Sequence, residues 1–179
     1  GEIALRPSPA GLRQIQDRLT QRRLLAALGL PQARFASVSG PEDFCEAVRR
    51  VGVPSVLKTR RDGYDGRGQV RIADAARVAG AWEALGRRPA VLEEFIDFEK
   101  EISVLLARTL EGEVRFFPIA ENVHRAHVLH LTRVPAAIPP AAAAEAERIG
   151  AAIAAALQHV GVLTVELFLM RDGSLRVNE

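Results

Sequence analysis

Leu163-Thr164-Val165-Glu166-Leu167-Phe168-Leu169-Met170-Arg171-Asp172-Gly173-Ser174-Leu175-Arg176-Val177-Asn178-Glu179 closes the chain with two apolar runs around Asp-Gly. Such a pattern reads as a β-hairpin. Asp-Gly favours a two-residue type I′ turn, in which both central residues take positive φ. That turn pairs Arg171 with Ser174, Met170 with Leu175 and Phe168 with Val177, and further along it sets Glu166 opposite Glu179. Side chains alternate faces along a strand, so both carboxylates stand at one end of an otherwise apolar face. Like charges directly opposite one another are destabilising. Either a cation lies between them, or the strand ends expose two glutamates to water. Oxygen-only ligands favour Mg²⁺, which takes one or two carboxylates and completes its shell with substrate phosphates.

Upstream, Val53 to Thr59 reads as a short apolar strand carrying one lysine, Lys58, on the face of Val56. Alone, a strand lysine is most simply an edge decoration. It is followed by Gly63-Tyr64-Asp65-Gly66-Arg67-Gly68-Gln69, whose three glycines let backbone N–H groups approach an anion closely. No GxxxxGK[ST] loop is present. A strand lysine ahead of a glycine-rich loop suits the covering of a triphosphate; a surface hairpin is the alternative. Glu93-Glu94-Phe95-Ile96 and Glu101-Ile102-Ser103-Val104 then set acids on apolar strands, where they could accept from adenine or ribose hydroxyls or simply lie at a solvated edge.

Glu121-Asn122-Val123-His124 precedes His127 and His130, but no cysteine or paired acid accompanies these histidines, which argues against zinc. Hydrolase chemistry has no candidate nucleophile, because no Ser-His-Asp or Cys-His arrangement stands out. Cys45 is the sole cysteine, which precludes an internal disulfide and is compatible with a reducing cytoplasm. No run of about twenty apolar residues could cross a membrane. Charge is nearly balanced, 24 basic against 22 acidic residues, and no basic stripe interleaved with aromatics suggests nucleic acid.

Helical spacing covers Ala10 to Leu28, the stretch after Pro41, Asp74 to Leu85 and Pro140 to His159. Strands are expected at Gln69 to Ile72, Val91 to Ile96, Glu101 to Arg108, Val114 to Ala120 and Val128 to Val134. Trp82 is expected in the core. Helices and strands alternate first and strands then follow in succession, which predicts an α+β fold with two subdomains.

Taken in order, Gln16-Asp17-Arg18-Leu19-Thr20, Lys58 with GYDGRGQ, VLEEF with EKEIS, ENVH, and VELF with VNE resemble the ATP-grasp superfamily. Most closely they resemble its N5-carboxyaminoimidazole ribonucleotide synthase family, over essentially the whole chain. The resemblance implies an ATP-grasp fold clamping ATP between two α+β subdomains. Residues 1–33 would form a helical lead-in, 34–93 the small subdomain and 94–179 the large one. The chain starts without Met and stops mid-strand, so it reads as the middle of a longer enzyme, lacking a Rossmann-like layer and a substrate-contacting segment, and is expected not to turn over alone.

On that resemblance Lys58, Arg67 and His124 would be catalytic, with Lys58 on the α/β-phosphates. ATP would meet Arg22, Lys58, Gly63, Tyr64, Asp65, Gly66, Gly68 and Gln69, with Glu93, Glu94, Phe95 and Ile96 at the adenine. Glu101 would hold the ribose hydroxyls, with Asn122, Phe168 and Asn178 completing the site, and Glu166 and Glu179 would hold Mg²⁺, Mn²⁺ being the alternative. The implied substrates are bicarbonate and 5-aminoimidazole ribonucleotide, in a cytoplasmic homodimer. Three residues depart from the family pattern: Arg22 for lysine, Asp62 for glycine and His127 for glycine. Two other readings are an ATP-grasp ligase with a different acceptor, against which GYDGRGQ argues, and a non-catalytic ATP-binding module. The intact set Lys58, Glu101, Glu166 and Glu179 argues against the latter.

Overall fold

The computed structural model describes residues 5–63 and 67–179. Helices α1 (Pro9–Ile15) and α2 (Arg18–Ala27) open the fold. The stretch expected as one helix from Ala10 to Leu28 is therefore interrupted at Gln16-Asp17. Asp17 has extended backbone there and its carboxylate accepts from the N–H groups of Leu19 and Thr20, so a capping acid starts a new helix.

A four-stranded antiparallel sheet follows, built from β1 (Phe35–Val38), β2 (Ser55–Thr59), β3 (Gln69–Ile72) and β4 (Ala90–Glu94) in the order β1-β4-β2-β3. Helix α3 (Pro41–Val51) joins β1 to β2, and α4 (Val78–Ala84), after a 3-10 turn at Ala75–Arg77, joins β3 to β4. Val38, Phe44, Val51, Leu57, Ile72, Trp82 and Leu92 form this sheet's core, as expected for Trp82. Strand β1 escaped the sequence reading: four residues bounded by arginine and Ser-Gly are too short to show alternation.

The second sheet has the order β10-β9-β5-β7-β8, with β6 also pairing β5. Its strands are β5 (Lys100–Arg108), β6 (Val114–Phe116), β7 (Ala120–Arg125), β8 (Val128–Arg133), β9 (Gly161–Leu169) and β10 (Leu175–Val177). The single strand expected over Val114 to Ala120 is split, and Pro118, which has no N–H to donate, lies in the break. Helix α5 (Pro140–Ala156) covers one face through Ala146, Ile149 and Ile153, which meet Ile102, Val104, Val165 and Leu167. Gly150 permits this approach, since a Cβ there would lie 3.1 Å from Leu106 Cδ2 and 3.2 Å from Val104 Cγ1. Leu25 and Leu30, at and after α2, join this same core, so the opening helices pack with the six-stranded sheet.

The terminal hairpin differs from expectation by one residue. Leu175 pairs with Leu169, Arg176 with Phe168 and Val177 with Leu167, rather than Leu175 with Met170 and Val177 with Phe168. Met170 N–H donates to Ser174 O at 2.8 Å and Gly173 N–H to Met170 O at 2.9 Å. Gly173 has φ +81°, while Asp172 is not in the left-handed region, so the loop has three residues with glycine in the left-handed position. A second irregularity offsets the slip. The N–H groups of Asn178 and Glu179 both donate to Glu166 O, at 2.8 and 3.3 Å, and Glu166 N–H donates to Glu179 O at 2.7 Å. Two residues thus oppose one, as in a β-bulge, and Glu166 and Glu179 come opposite after all.

The two-residue turn with both φ values positive occurs elsewhere. Arg125 pairs with Val128 across Ala126 and His127, at φ +49° and +66°. His127 therefore occupies a left-handed position that glycine adopts without strain. Asp62, at φ +62°, does the same with a side chain that tolerates that region.

Candidate active site

Leu57 points into the small core, so alternation sends Val56 and Lys58 to the opposite face of β2. On β4, Leu92 is likewise core and Glu93 shares the face of Lys58; Val56 and Glu93 are register partners. Helix α2 covers this face with Arg18 and Arg22. Glu93 is only 3% exposed and receives three cations: Arg18 Nε at 2.6 Å, Arg22 Nε at 2.7 Å and Lys58 Nζ at 3.1 Å. Burial alone would raise the Glu93 carboxyl, but Arg18, Arg22 and Lys58 hold it well below the ordinary range. Lys58 is pulled down to about 8, first by burial and then by the two arginines, with Glu93 opposing.

These contacts engage the side chains of two residues expected at the nucleotide. The Glu93 carboxylate is engaged by cations and anchors Lys58. Arg22 is 1% exposed and its donors all find partners: Glu93, Gln32 Oε1, Val177 O and Asn178 O. It crosslinks the two sheets and offers no donor to a phosphate in this conformation. Glu94 accepts from Arg34 at the surface. The N–H of Phe95 donates to Pro54 O, and the Arg71 guanidinium lies 4.2 Å over its ring. Ile96 is half-buried beside them.

The facing side belongs to the six-stranded sheet. Ile102 and Val104 point to α5, which leaves Glu101 and Ser103 on the open face of β5. Glu101 pairs with Phe168 on β9 and Asn122 on β7, and Ser103 pairs with Glu166. One patch therefore carries Glu101, Glu166, Phe168 and Asn122. Asn122 donates to Ser103 Oγ at 2.6 Å and accepts from Thr132 at 3.1 Å. His124 Nδ1 lies 2.9 Å from Glu101 Oε2. Glu166 is pushed up to about 7 by burial and by the carboxylates of Glu179 and Glu101. Glu101 is raised mainly by burial, against the pull of His124.

Arg18 joins the two sides, and sequence reasoning did not single it out. Besides Glu93 it donates to Glu179 Oε2 at 3.1 Å and Asn178 Oδ1 at 3.2 Å. Its only signal was its place in the Asp17-Arg18-Leu19-Thr20 stretch. Phe98 was also missed: its ring stacks on Phe168 with centroids 4.4 Å apart and planes 8° from parallel. A cleft of about 250 Å³ lies beside it, lined by Phe98, Glu101, Asn122 and His124 among others.

The glycine loop returns beside Lys58, with Gln69 as that lysine's register partner. Thr59 N–H donates to Gly68 O at 2.8 Å. A Cβ on Gly68 would lie 2.6 Å from Thr59 Oγ1, and Gly68 has φ +73°, so only glycine fits this neck. At Gly63 the fit is looser, a Cβ there lying 3.3 Å from Arg67 O. Arg67 is exposed. Tyr64, Asp65 and Gly66 lie outside the described residues.

Chemically, a lysine fixed by a buried glutamate faces acids that resist being ionised together. That arrangement suits a polyanion brought in with a divalent cation, which would relieve Glu166 and Glu179 while the phosphates meet Lys58. Among the described residues no set of three or more His, Cys, Asp or Glu side chains forms a ready metal cage.

The sequence profile of the ATP-grasp domain matches residues 23–179. An N5-carboxyaminoimidazole ribonucleotide synthase of Brucella melitensis is 41% identical over 175 residues, covering 97% of this chain and 48% of that protein. The chain thus spans about half the length of the curated relatives it matches. The structure of an N5-carboxyaminoimidazole ribonucleotide synthetase in complex with ADP superposes with TM-score 0.90 at 38% identity, over 95% of this chain and 45% of that one. The Aspergillus clavatus enzyme, with ADP and 5-aminoimidazole ribonucleotide, gives TM-score 0.90 at 28% identity, over 99% of this chain and 47% of that one. By its two facing sheets, its lysine–glycine loop and this match, the chain belongs to the ATP-grasp domain family.

Proposed function

We propose that this chain is the nucleotide- and metal-binding part of an ATP-dependent carboxylate–amine ligase acting in purine biosynthesis. In this reading bicarbonate attacks the γ-phosphorus of ATP and ADP leaves, giving carboxyphosphate. The amine of 5-aminoimidazole ribonucleotide then attacks the carboxyl carbon and phosphate leaves, giving N5-carboxyaminoimidazole ribonucleotide. Turnover is assigned to the whole protein, of which these residues correspond to about half the length of the relatives. The observation that carries the reading is Lys58, clamped by Glu93, facing the Glu101–Glu166–Glu179 patch.

Each residue's part follows from its surroundings. Lys58 supplies positive charge to the phosphates, and Glu93 keeps that ammonium in place and charged. Phe168, braced by Phe98, offers an aromatic surface to the base, and Glu101 can accept from ribose hydroxyls. Glu166 and Glu179 would hold Mg²⁺, which neutralises phosphate charge when bound. His124 orients Glu101 through their 2.9 Å contact. No covalent enzyme intermediate is needed, so the protein contributes positioning and electrostatics.

The test is ADP release by the full-length protein with Mg-ATP and bicarbonate, with and without 5-aminoimidazole ribonucleotide. Strong stimulation by the ribonucleotide, lost in Lys58→Ala and Glu166→Gln, is expected. Mg-ATP binding without stimulation would remove the purine assignment and leave a nucleotide-binding module or a ligase for another acceptor.

A further inference from the structure

Lys58 is held from one side by Glu93, which Arg18 and Arg22 of α2 grip in turn, but a second link between the opening helices and the small sheet lies two residues further along. Asp17 is 4% exposed. Its carboxylate caps α2 and also accepts from Arg60, with Nε at 3.0 Å to Oδ1 and 3.1 Å to Oδ2, and a further bond from the second guanidinium nitrogen. Arg61 Nε stands 3.6 Å away. The Arg60 carbonyl in turn accepts from Arg18 N–H at 2.9 Å. Arg60 is therefore gripped at both its backbone and its side chain by consecutive residues of the α1–α2 corner. That corner packs through Ile15, Leu24 and Leu25 into the core of the six-stranded sheet, whereas Arg60 directly follows β2 of the other sheet.

A single link between two sheets lets one pivot on the other; two links on either side of Lys58 fix its direction. We propose that Asp17 is a positioning residue: by holding Arg60 it sets the end of β2, and so the place of the Lys58 ammonium, against the acid patch of the large sheet. The simpler assignment, a helix cap with a surface ion pair, accounts for the bonds to Leu19 and Thr20. It leaves unexplained why a buried acid and the chain leaving β2 meet at two points. The functional consequence rests on the ligase reading; the mechanical link does not.

Asp17→Asn in the full-length protein keeps the capping oxygen and deletes the charge; Arg60→Gln removes the partner. Each is expected to lower kcat/KM for ATP about tenfold, since misplacing a charge-bearing group by a fraction of an ångström is costly. The double variant should fall no further than the worse single one, because both remove one interaction. Arg60→Lys, which keeps the charge, should recover most of the loss. Hydrogen exchange in a peptide spanning residues 57–63 should rise in Asp17→Asn and Arg60→Gln alike. Unchanged exchange in both variants would overturn the link, and so would additive losses in the double variant. Raised exchange with kcat/KM intact would overturn the positioning role. Raised exchange in a protein whose wild type shows no ribonucleotide-stimulated ADP release would sink the ligase assignment and leave the link standing.

Discussion

Glu93→Gln is the most informative perturbation of this fold. In the native protein one buried carboxylate balances Arg18, Arg22 and Lys58, with contacts of 2.6 to 3.1 Å. Removing one partner of a buried ion pair costs about 3–5 kcal/mol, because an uncompensated charge is left behind. Glutamine keeps one acceptor oxygen, which places the expected loss at the lower end, about 3 kcal/mol. For a folded unit of this size that is a fall in Tm of about 6–12 °C, read by circular dichroism. A second effect follows from the lysine. Its folded pKa of about 8 lies below the ordinary 10.5, and Glu93 is what keeps it from falling further. Between those values the unfolded chain binds more protons, so this lysine makes wild-type stability rise as pH climbs from about 8 to 10.5. In Glu93→Gln the ammonium loses its proton at lower pH. Mg-ATP affinity, measured by calorimetry, should then drop more at about pH 8 than at about pH 6 relative to wild type. Glu94→Gln is the matched control: its partner Arg34 is exposed, and the change should stay within about 0.5 kcal/mol. A Glu93→Gln protein melting within about 2 °C of wild type, with unchanged pH dependence of binding, would refute the reasoning.

Other outcomes follow from the same structure. Glu166 has a folded pKa of about 7 against an ordinary 4.5, so the native state holds extra proton between those values. Without Mg²⁺, stability should fall as pH rises from about 4.5 through 7, and urea titrations of Glu166→Gln should show a flatter profile. Gly68→Ala places a Cβ 2.6 Å from Thr59 Oγ1 at φ +73° and should cost about 1–3 kcal/mol, seen as a lower urea midpoint. His127→Gly relieves a left-handed histidine and should stabilise by about 0.5 kcal/mol, seen as a higher urea midpoint, whereas the β-branched His127→Val should lower that midpoint.

Several features of the site were legible because they depend on local chemistry. Alternation alone put Lys58 on the face of Val56, and the same rule places Glu101 of β5 on the face away from Ile102 and Val104. The hairpin register was less legible, since Asp-Gly serves both a two-residue turn and a three-residue loop. Burial arbitrates between them: the observed pairing sets Leu175 and Val177 on the core face with Leu167 and Leu169. The expected pairing would have set them beside Met170 and Phe168. Glu166 and Glu179 were matched through that mistaken register, and the bulge at Asn178 is what makes them opposite in fact.

By itself the sequence determined the alternating faces, the turn-forming glycines, the helical stripe of α5 and the presence of a lysine, Lys58, inside an otherwise apolar strand. All of these follow from periodicities of two and 3.6 residues and from backbone geometry. Only the tertiary structure decided which charges meet. Arg18 and Arg22 lie more than seventy positions from Glu93, and Arg22 lies 155 from Val177. Nothing local distinguishes these arginines from the many exposed ones. Burial does: once α2 is packed beside the face of β4, each guanidinium leaves water and must find an anion or a carbonyl. Glu93 thereby becomes the anchor of Lys58, and Arg22 becomes a crosslink between sheets.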